Sequence, residues 1–263
     1  MSYQPSQLRL QREAARRRAS RRSTLIALTS TLSIALLAII TITGAQGFTK
    51  VRESFFSPHY ALHALPTVVS GLWLNLRVMF FAEIFVLLFG LLIALSRTSK
   101  SPLLYPLRLI AGAYTDIFRG LPLLLVLLLV GFGIPGLQIS WIPNSAVILG
   151  TFSLILTYTA YVAEVIRAGI EAVSPTQRMA ARSLGLTQWQ AQRHVVLPQA
   201  FRKVTPPLLN DLVSLQKDSG LISVLGAIDA IRSAGIETAQ SFNFTPYIVA
   251  GLFFVALTIP LTR

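Results

Sequence analysis

The chain has 263 residues, 53% of them hydrophobic and only 13% charged, with a mean hydropathy of +0.63; a soluble domain of that size has no single core able to hide so much apolar surface, so its solvent is largely lipid. A formal net charge of +13 would suit a nucleic-acid binder, but the basic residues fall between apolar stretches instead of forming one footprint, which excludes nucleic acid as the partner. There is no cysteine, which removes disulfides, thiolate metal sites, palmitoylation and cysteine nucleophiles together.

A hydrocarbon core about 30 Å thick asks for about 20 apolar residues per helical span. Residues 1–23 contain seven arginines from Arg9 to Arg22 and little apolar surface, the composition of a flexible or surface-lying basic cytoplasmic tail. Ser20-Arg21-Arg22 before an apolar run has the look of an export signal. The run Thr24 to Thr43 is longer than a signal's apolar region, lacks an A-x-A-like site and leads into further spans, so residues 24–45 are expected to be an uncleaved, peripheral N-terminal transmembrane helix. Gln46 to Leu65 reads as an external connection with a short interfacial helix at Tyr60 to Ala64. His59 and His63 have the i, i+4 spacing of a metal pair but no third ligand nearby, and are read as solvated or interfacial, not as a metal site.

The second span runs from Thr67 to Leu95. The third, Leu107 to Phe132, is less uniform: Pro102, Pro106, Arg108, Asp116 and Arg119 precede Leu121-Pro122, and a proline there divides the segment into two helical pieces. Asp116 and Arg119, at i, i+3, are positioned to pair inside a bundle. Gly131, Gly133 and Gly136 satisfy G-x-G-x-x-G without the strand that a dinucleotide site needs, and mark the outer turn of a span. Three more spans follow at Ser145 to Ile166, Pro206 to Leu225 and Thr245 to Leu261. With alternating spans, the arginine-rich N-terminus, Arg97 and Lys100, and Arg178, Arg182, Arg193, Arg202 and Lys203 all fall on one side, which predicts cytoplasmic termini. The chain contains no Gly-Lys pair, hence no phosphate loop, so any ATP and Mg belong to a partner.

The connection of about residues 168–198 is long for neighbouring spans. Ser174-Pro175 starts and Gly185 stops a helix over Gln177 to Leu184, with Met179, Ala180, Ser183 and Leu184 on an apolar face and Arg178 and Arg182 beside it. Such a helix lies on anionic lipid or docks in a partner's groove, and the physics of the segment leaves both open.

Met179-Ala180-Ala181-Arg182-Ser183-Leu184-Gly185, followed by Val195-Val196-Leu197-Pro198, resembles the loop that marks the membrane subunits of bacterial ATP-binding-cassette importers. The polar amino-acid uptake branch, related to histidine and glutamine permeases, is also resembled at Gly71 to Leu76, Phe118 to Leu124, Ala160 to Gly169, Leu197 to Ala200 and Leu215 to Leu221, in family order. The likeness covers about Pro66 to Arg263. It implies a type I importer-like permease core of five helices within residues 66–263; with the N-terminal helix, which has no counterpart in that core, the expectation is an all-α integral membrane protein with about six transmembrane helices. It also implies a multi-pass protein of the bacterial inner membrane whose partners are a cytoplasmic ATPase dimer, a second permease copy or a homologous permease, an extracytoplasmic solute-binding protein and lipid.

In that family the short helix of this loop seats in a cleft of the ATPase. The docking residues carried over are Gln177, Ala180, Ala181, Gly185 and Leu186, with Leu197-Pro198 opening the next helix. The family glutamate is Met179 here, and Thr176 replaces the glycine before Gln177. For the translocation path, ionisable groups inside spans are candidates: Glu83, Asp116, Glu164, Asp211, Lys217 and Asp218, led by Lys217 or Asp218 before Ser219-Gly220. Arg119 and Asn75 are further candidates. Glu164 and Arg167 are also placed to pair with each other, and Asp211 to pair with a neighbouring chain. The alternative, a self-contained secondary transporter, would show internal repeats; a membrane enzyme would show a motif such as H-E-x-x-H or G-x-S-x-G. Neither is found.

Overall fold

The computed structural model describes residues 7–99 and 101–262, with side chains described from Arg22 onward; among these residues all regular structure is helical. The chain divides into two compact units, Met1–Ser54 and Phe55–Arg263.

In the first unit, α1 runs unbroken from Gln7 to Thr43. The stretch read as a flexible or surface-lying tail is therefore helical from Gln7, and its first six residues lie outside the described ones. Leu, Arg, Glu and Ala in that stretch are good helix formers, and a helix already nucleated in the apolar span propagates into them at small cost. Every described side chain of α1 is exposed, and Arg22–Thr43 is apolar and long enough to cross a bilayer. The short α2 covers Phe48–Phe55.

The second unit opens with α3, Pro58–Thr98. No separate interfacial helix exists at Tyr60 to Ala64: those residues are the first turns of α3, started by Pro58, whose missing N–H would have lacked a partner there anyway. A single 3₁₀ turn at Pro102–Leu104 leads into α4, Tyr105–Gly120. As expected from Pro122, the segment breaks, and α5, Leu123–Gly136, leaves at 107° to it. Helix α6 spans Ala146–Glu171. It is followed by α7, Pro175–Ser183, and α8, Gln188–Ala191. A wide π turn at Gln192–Val196 joins α8 to α9, Leu197–Asp218.

The apolar stretch Pro206 to Leu225 lies partway along this run, whose helix opens at Leu197-Pro198 as the resemblance implied. Pro206 and Pro207 lie inside α9, and Ser219–Leu225 is a 3₁₀ segment that ends at Gly226 with φ +93°. Helix α10, Ala230–Ser241, starts on Asp229, whose carboxylate accepts the Arg232 N–H at 2.8 Å. Helix α11 is Thr245–Thr262. Among the described residues four helices are long and apolar enough to span a membrane, or up to six when each bent pair forms one span.

Without a hydrophobic drive between helices in lipid, close packing of small residues holds such a bundle. A Cβ on Gly90 would stand 2.7 Å from Val162, and one on Gly71 would stand 2.5 Å from the backbone nitrogen of Ala230. The central core joins Val78, Ala82 and Val86 of α3 to Leu127, Leu154, Val162, Leu215 and Ile222. A second cluster packs Ala64, Val68 and Leu72 of α3 on Ala230, Ala234 and Val249. Phe80, Phe81, Leu88 and Leu92 of α3 point outward, a surface that a hydrocarbon solvent covers.

Asn75 is buried, and its amide is fully used: Nδ2 donates to Ser219 O at 3.0 Å and to Asp229 Oδ2 at 3.1 Å, while Oδ1 accepts the Ala230 N–H at 3.1 Å. It fastens α3 to the 3₁₀ segment and to α10. Asn75→Leu leaves three buried polar groups without that partner, at about 1–3 kcal/mol each. A clearly lower thermal denaturation midpoint in detergent is the expected result.

Candidate functional site

The break at Leu121–Pro122 faces a polar stripe on α6 and another on α9. Asp211, Ser214 and Asp218 recur at helical spacing and share a face of α9. With Thr157, Tyr158 and Tyr161 of α6 and Leu121 to Leu123 they line a cavity of about 250 Å³. Tyr158 donates its hydroxyl to Asp218 Oδ2 at 2.6 Å. Asp211 Oδ2 and Thr157 Oγ1 are buried without hydrogen-bond partners, and Thr157 is only 2% exposed. Such orphaned groups are costly in a membrane interior unless something enters to meet them.

Of the path candidates, Asp218 lines this cavity, whereas Lys217, its neighbour, is exposed and outside the lining, since adjacent residues on a helix diverge. Glu164 lies outside the lining as well. It binds Arg97 at 2.8 Å and Arg167 on its own helix, and Arg97 also donates to Thr115 Oγ1 at 2.9 Å. This cluster clamps α3, α4 and α6 together. Arg119 approaches Glu164 at 4.0 Å, and its guanidinium lies 5.9 Å from the centre of the Tyr161 ring, so it borders the cavity through Tyr161. It does not pair with Asp116 as its spacing suggested, because α4 turns it toward α6. His63 stands 3.7 Å from Glu237, and His59 packs edge-on to Tyr60.

Sequence reasoning missed Thr157, Tyr158 and Tyr161. The available signal was the polar run Thr157-Tyr158-Thr159 inside an otherwise apolar span.

The second place of interest is α7. The Ser174 side chain accepts the Thr176 N–H at its start. At its end the Leu186 N–H reaches Ala181 O at 3.2 Å and the Gly185 N–H reaches Arg182 O at 3.0 Å, the paired bonds of a Schellman stop. Gly185 takes φ +87° with open space around it, so its smallness is demanded by the backbone and not by crowding within this chain. Gln177, Met179, Ala180 and Leu184 are exposed, Met179 by 61% and Leu184 by 84%. Ala181 is turned inward and buried, Leu186 is half-buried and Pro198 is exposed in the first turn of α9. Ala181 is therefore part of the loop's own packing and does not belong to the exposed face. Arg178 and Lys203 tie the loop down through Ile170 O at 3.3 Å and Ala172 O at 2.6 Å.

A helical membrane bundle with broken spans around a polar cavity, and a capped amphipathic helix at one end, is the architecture of a transport permease. Residues 87–263 match the family of binding-protein-dependent transport system inner membrane components, and the chain belongs to it. It is 36% identical over 202 residues to the arginine transport system permease protein ArtQ of Bacillus subtilis (strain 168), covering 75% of this chain and 89% of that one. It is 38% identical over 191 residues to the putative glutamine transport system permease protein GlnP of Rickettsia conorii, covering 72% and 85%. Among solved structures, an amino acid ABC transporter crystallised with histidines matches at TM-score 0.70 and 38% identity, over 76% of this chain and 92% of the other. The MetNI methionine ABC transporter matches at TM-score 0.60 and 19% identity, over 74% and 91%, a likeness of fold alone. The chain is thus a membrane-spanning permease subunit of an ABC importer.

Proposed function

We propose that this subunit forms the translocation path for a polar amino acid and couples it to a cytoplasmic ATPase dimer through α7. The observation that carries the coupling is the exposed face of α7, which presents Gln177, Met179, Ala180 and Leu184 on a helix capped at both ends. Relatives named for arginine and glutamine transport support the solute class. The cavity supports it too, since it offers hydrogen-bonding groups at a break in a span. In this reading ATP and Mg sit on the partner ATPase and the permease catalyses nothing itself. A second permease, identical or homologous, completes the path, and an extracytoplasmic solute-binding protein delivers the solute. Both termini face the cytoplasm, and α1 is a span additional to the five-helix core.

Purification with endogenous partners followed by reconstitution tests this. Co-isolation of an ATPase, and ATP hydrolysis stimulated by a loaded binding protein, are expected; nucleotide binding by the isolated permease would count against it. The native chain lacks cysteine, so Ser183→Cys is expected to label only from the cytoplasm and Gln138→Cys only from outside. Labelling of Ser183→Cys from outside would overturn the orientation.

A further inference from the structure

A second concavity, of about 640 Å³, shares no lining residue with the polar cavity. Leu87, Leu91 and Leu95 recur at every fourth residue of α3 and form one wall, and residues of α9 between Leu197 and Leu208 form the other. Ile166 and Ile170 of α6 lie between them as the floor. That floor is shut, because α9 lies hard against α6: a Cβ on Gly169 would collide with Val204. The groove opens outward instead, where Leu91 is 44% and Phe201 68% exposed.

Its depth matches one leaflet. Leu95 stands two residues before Arg97, where charge begins with the pair to Glu164 at 2.8 Å, and Ile170 near the end of α6 packs on Val196 and Ala200 at the start of α9. From that end inward, Leu95 to Leu87 is about 12 Å of helix and Leu197 to Leu208 about 16 Å. Half of a hydrocarbon core is about 15 Å.

The same end of the groove is basic. Arg202 lines the groove, is exposed, and makes no ion pair or side-chain hydrogen bond among the described residues. The acid nearest the end of α6, Glu171, is taken by Arg167, and Lys203 donates to Ala172 O at 2.6 Å. No carboxylate therefore competes for Arg202, whose planar fork of donors suits a phosphate.

We infer that this groove holds one acyl chain of an anionic phospholipid of the cytoplasmic leaflet, with the lipid's phosphate on Arg202. Lipid tails bathe the whole bundle, but only a tail whose headgroup is held by charge has a fixed place on it. Seated there, the chain fills the space between α3 and the first turns of α9, and it braces the joint at which α9 leaves the loop that carries α7.

The choice of leaflet rests on the orientation proposed above, which the Ser183→Cys labelling decides separately, whereas lipid binding is read without transport. A photoreactive phenylalanine analogue is placed at Phe201, and the permease, purified with its partner subunits, is embedded in nanodiscs of equimolar phosphatidylglycerol and phosphatidylcholine. Illumination is followed by mass spectrometry of whatever is joined to that position. Crosslinked phosphatidylglycerol is expected to exceed phosphatidylcholine about fivefold, the worth of one arginine against an anionic headgroup. Arg202→Gln is expected to bring the ratio close to one, and Leu91→Trp, which fills part of the groove, to lower the yield with both lipids. An even ratio in the parent protein, or an unchanged ratio in Arg202→Gln, would overturn the headgroup site. Full yield in Leu91→Trp would remove the acyl chain from the groove. Crosslinking to a second protein chain instead of lipid would make the groove a protein interface and end the proposal. If the ratios behave as expected while Ser183→Cys labels from outside, the groove stands as a lipid site and the orientation alone fails.

Discussion

Gly71→Leu is expected to leave almost no assembled permease in the membrane fraction. A Cβ at Gly71 would already stand 2.5 Å from the nitrogen of Ala230 and from the carbonyl oxygen of Asp229. Both are backbone atoms, and neither is free to move. Asp229 caps α10, and Asn75, one turn along α3 from Gly71, holds Asp229 and Ala230 by hydrogen bonds. Overpacking a well-fitted site costs about 1–3 kcal/mol when neighbours relax, and more when the obstruction is fixed backbone. Gly71→Ala is expected to show a smaller loss in the same direction. Gly112, which has nothing within 4 Å of its Cβ position, is the comparison site: Gly112→Ala should accumulate normally. Size-exclusion profiles of fluorescent fusions would read all three, and a normal profile for Gly71→Leu would contradict the packing described.

The second large effect concerns α7. Ala180→Trp adds bulk to an exposed face, so the fold is expected to stay intact while docking of the ATPase fails. A clash of about 1–3 kcal/mol in the contact corresponds to roughly a five- to hundredfold weaker association, and solute-stimulated ATP hydrolysis is expected to fall at least as far. Ala181→Trp is different, because Ala181 is buried within the loop, and it should lower permease stability as well as coupling. Gly185→Leu forces a branched side chain into φ +87°, at about 1–2 kcal/mol, and misdirects the chain after the helix. Reconstituted vesicles would compare uptake and ATPase activity, with protein recovery separating the inward from the outward position. Full coupling in both Ala180→Trp and Gly185→Leu would reduce α7 to a helix of the membrane surface.

Hydropathy made the spans visible because lipid demands long apolar runs, and Ser174-Pro175 with Gly185 delimited α7 because cap chemistry is local. The break at Leu121-Pro122 was readable for the same reason. Position along the chain does not reveal which side of a helix meets which neighbour. Asn75 therefore read as a path residue although three hydrogen bonds occupy it, and Ala181 read as a docking residue although it is buried. The apolar run read as the fifth span marks only part of its helix, because hydropathy reports the lipid-facing stretch, whereas α9 already opens at Leu197 and carries both prolines inside it. The cavity was half legible: Asp218 was a marked charge, but Thr157 and Tyr158 gain meaning only when α6 is laid against α9.

Those two prolines also set a mechanical property. From Gln188 to Leu225 the chain is one unbroken run of helical turns, with α7 packed at its first end and Asp211 and Asp218 near its other. At about 1.5 Å per residue it is a lever of roughly 35–45 Å from its α7 end to the two aspartates. Pro206 and Pro207 cannot donate to the carbonyls of Arg202 and Lys203, so two consecutive rungs are missing partway along. The lever is compliant there and stiff beyond it. On the coupling role proposed for α7, a stroke delivered there is partly absorbed as bending at the prolines before it reaches the aspartates, and the loss depends on how many rungs are missing. Restoring both rungs with alanines would yield a stiffer linkage whose aspartates answer a smaller movement of the ATPase.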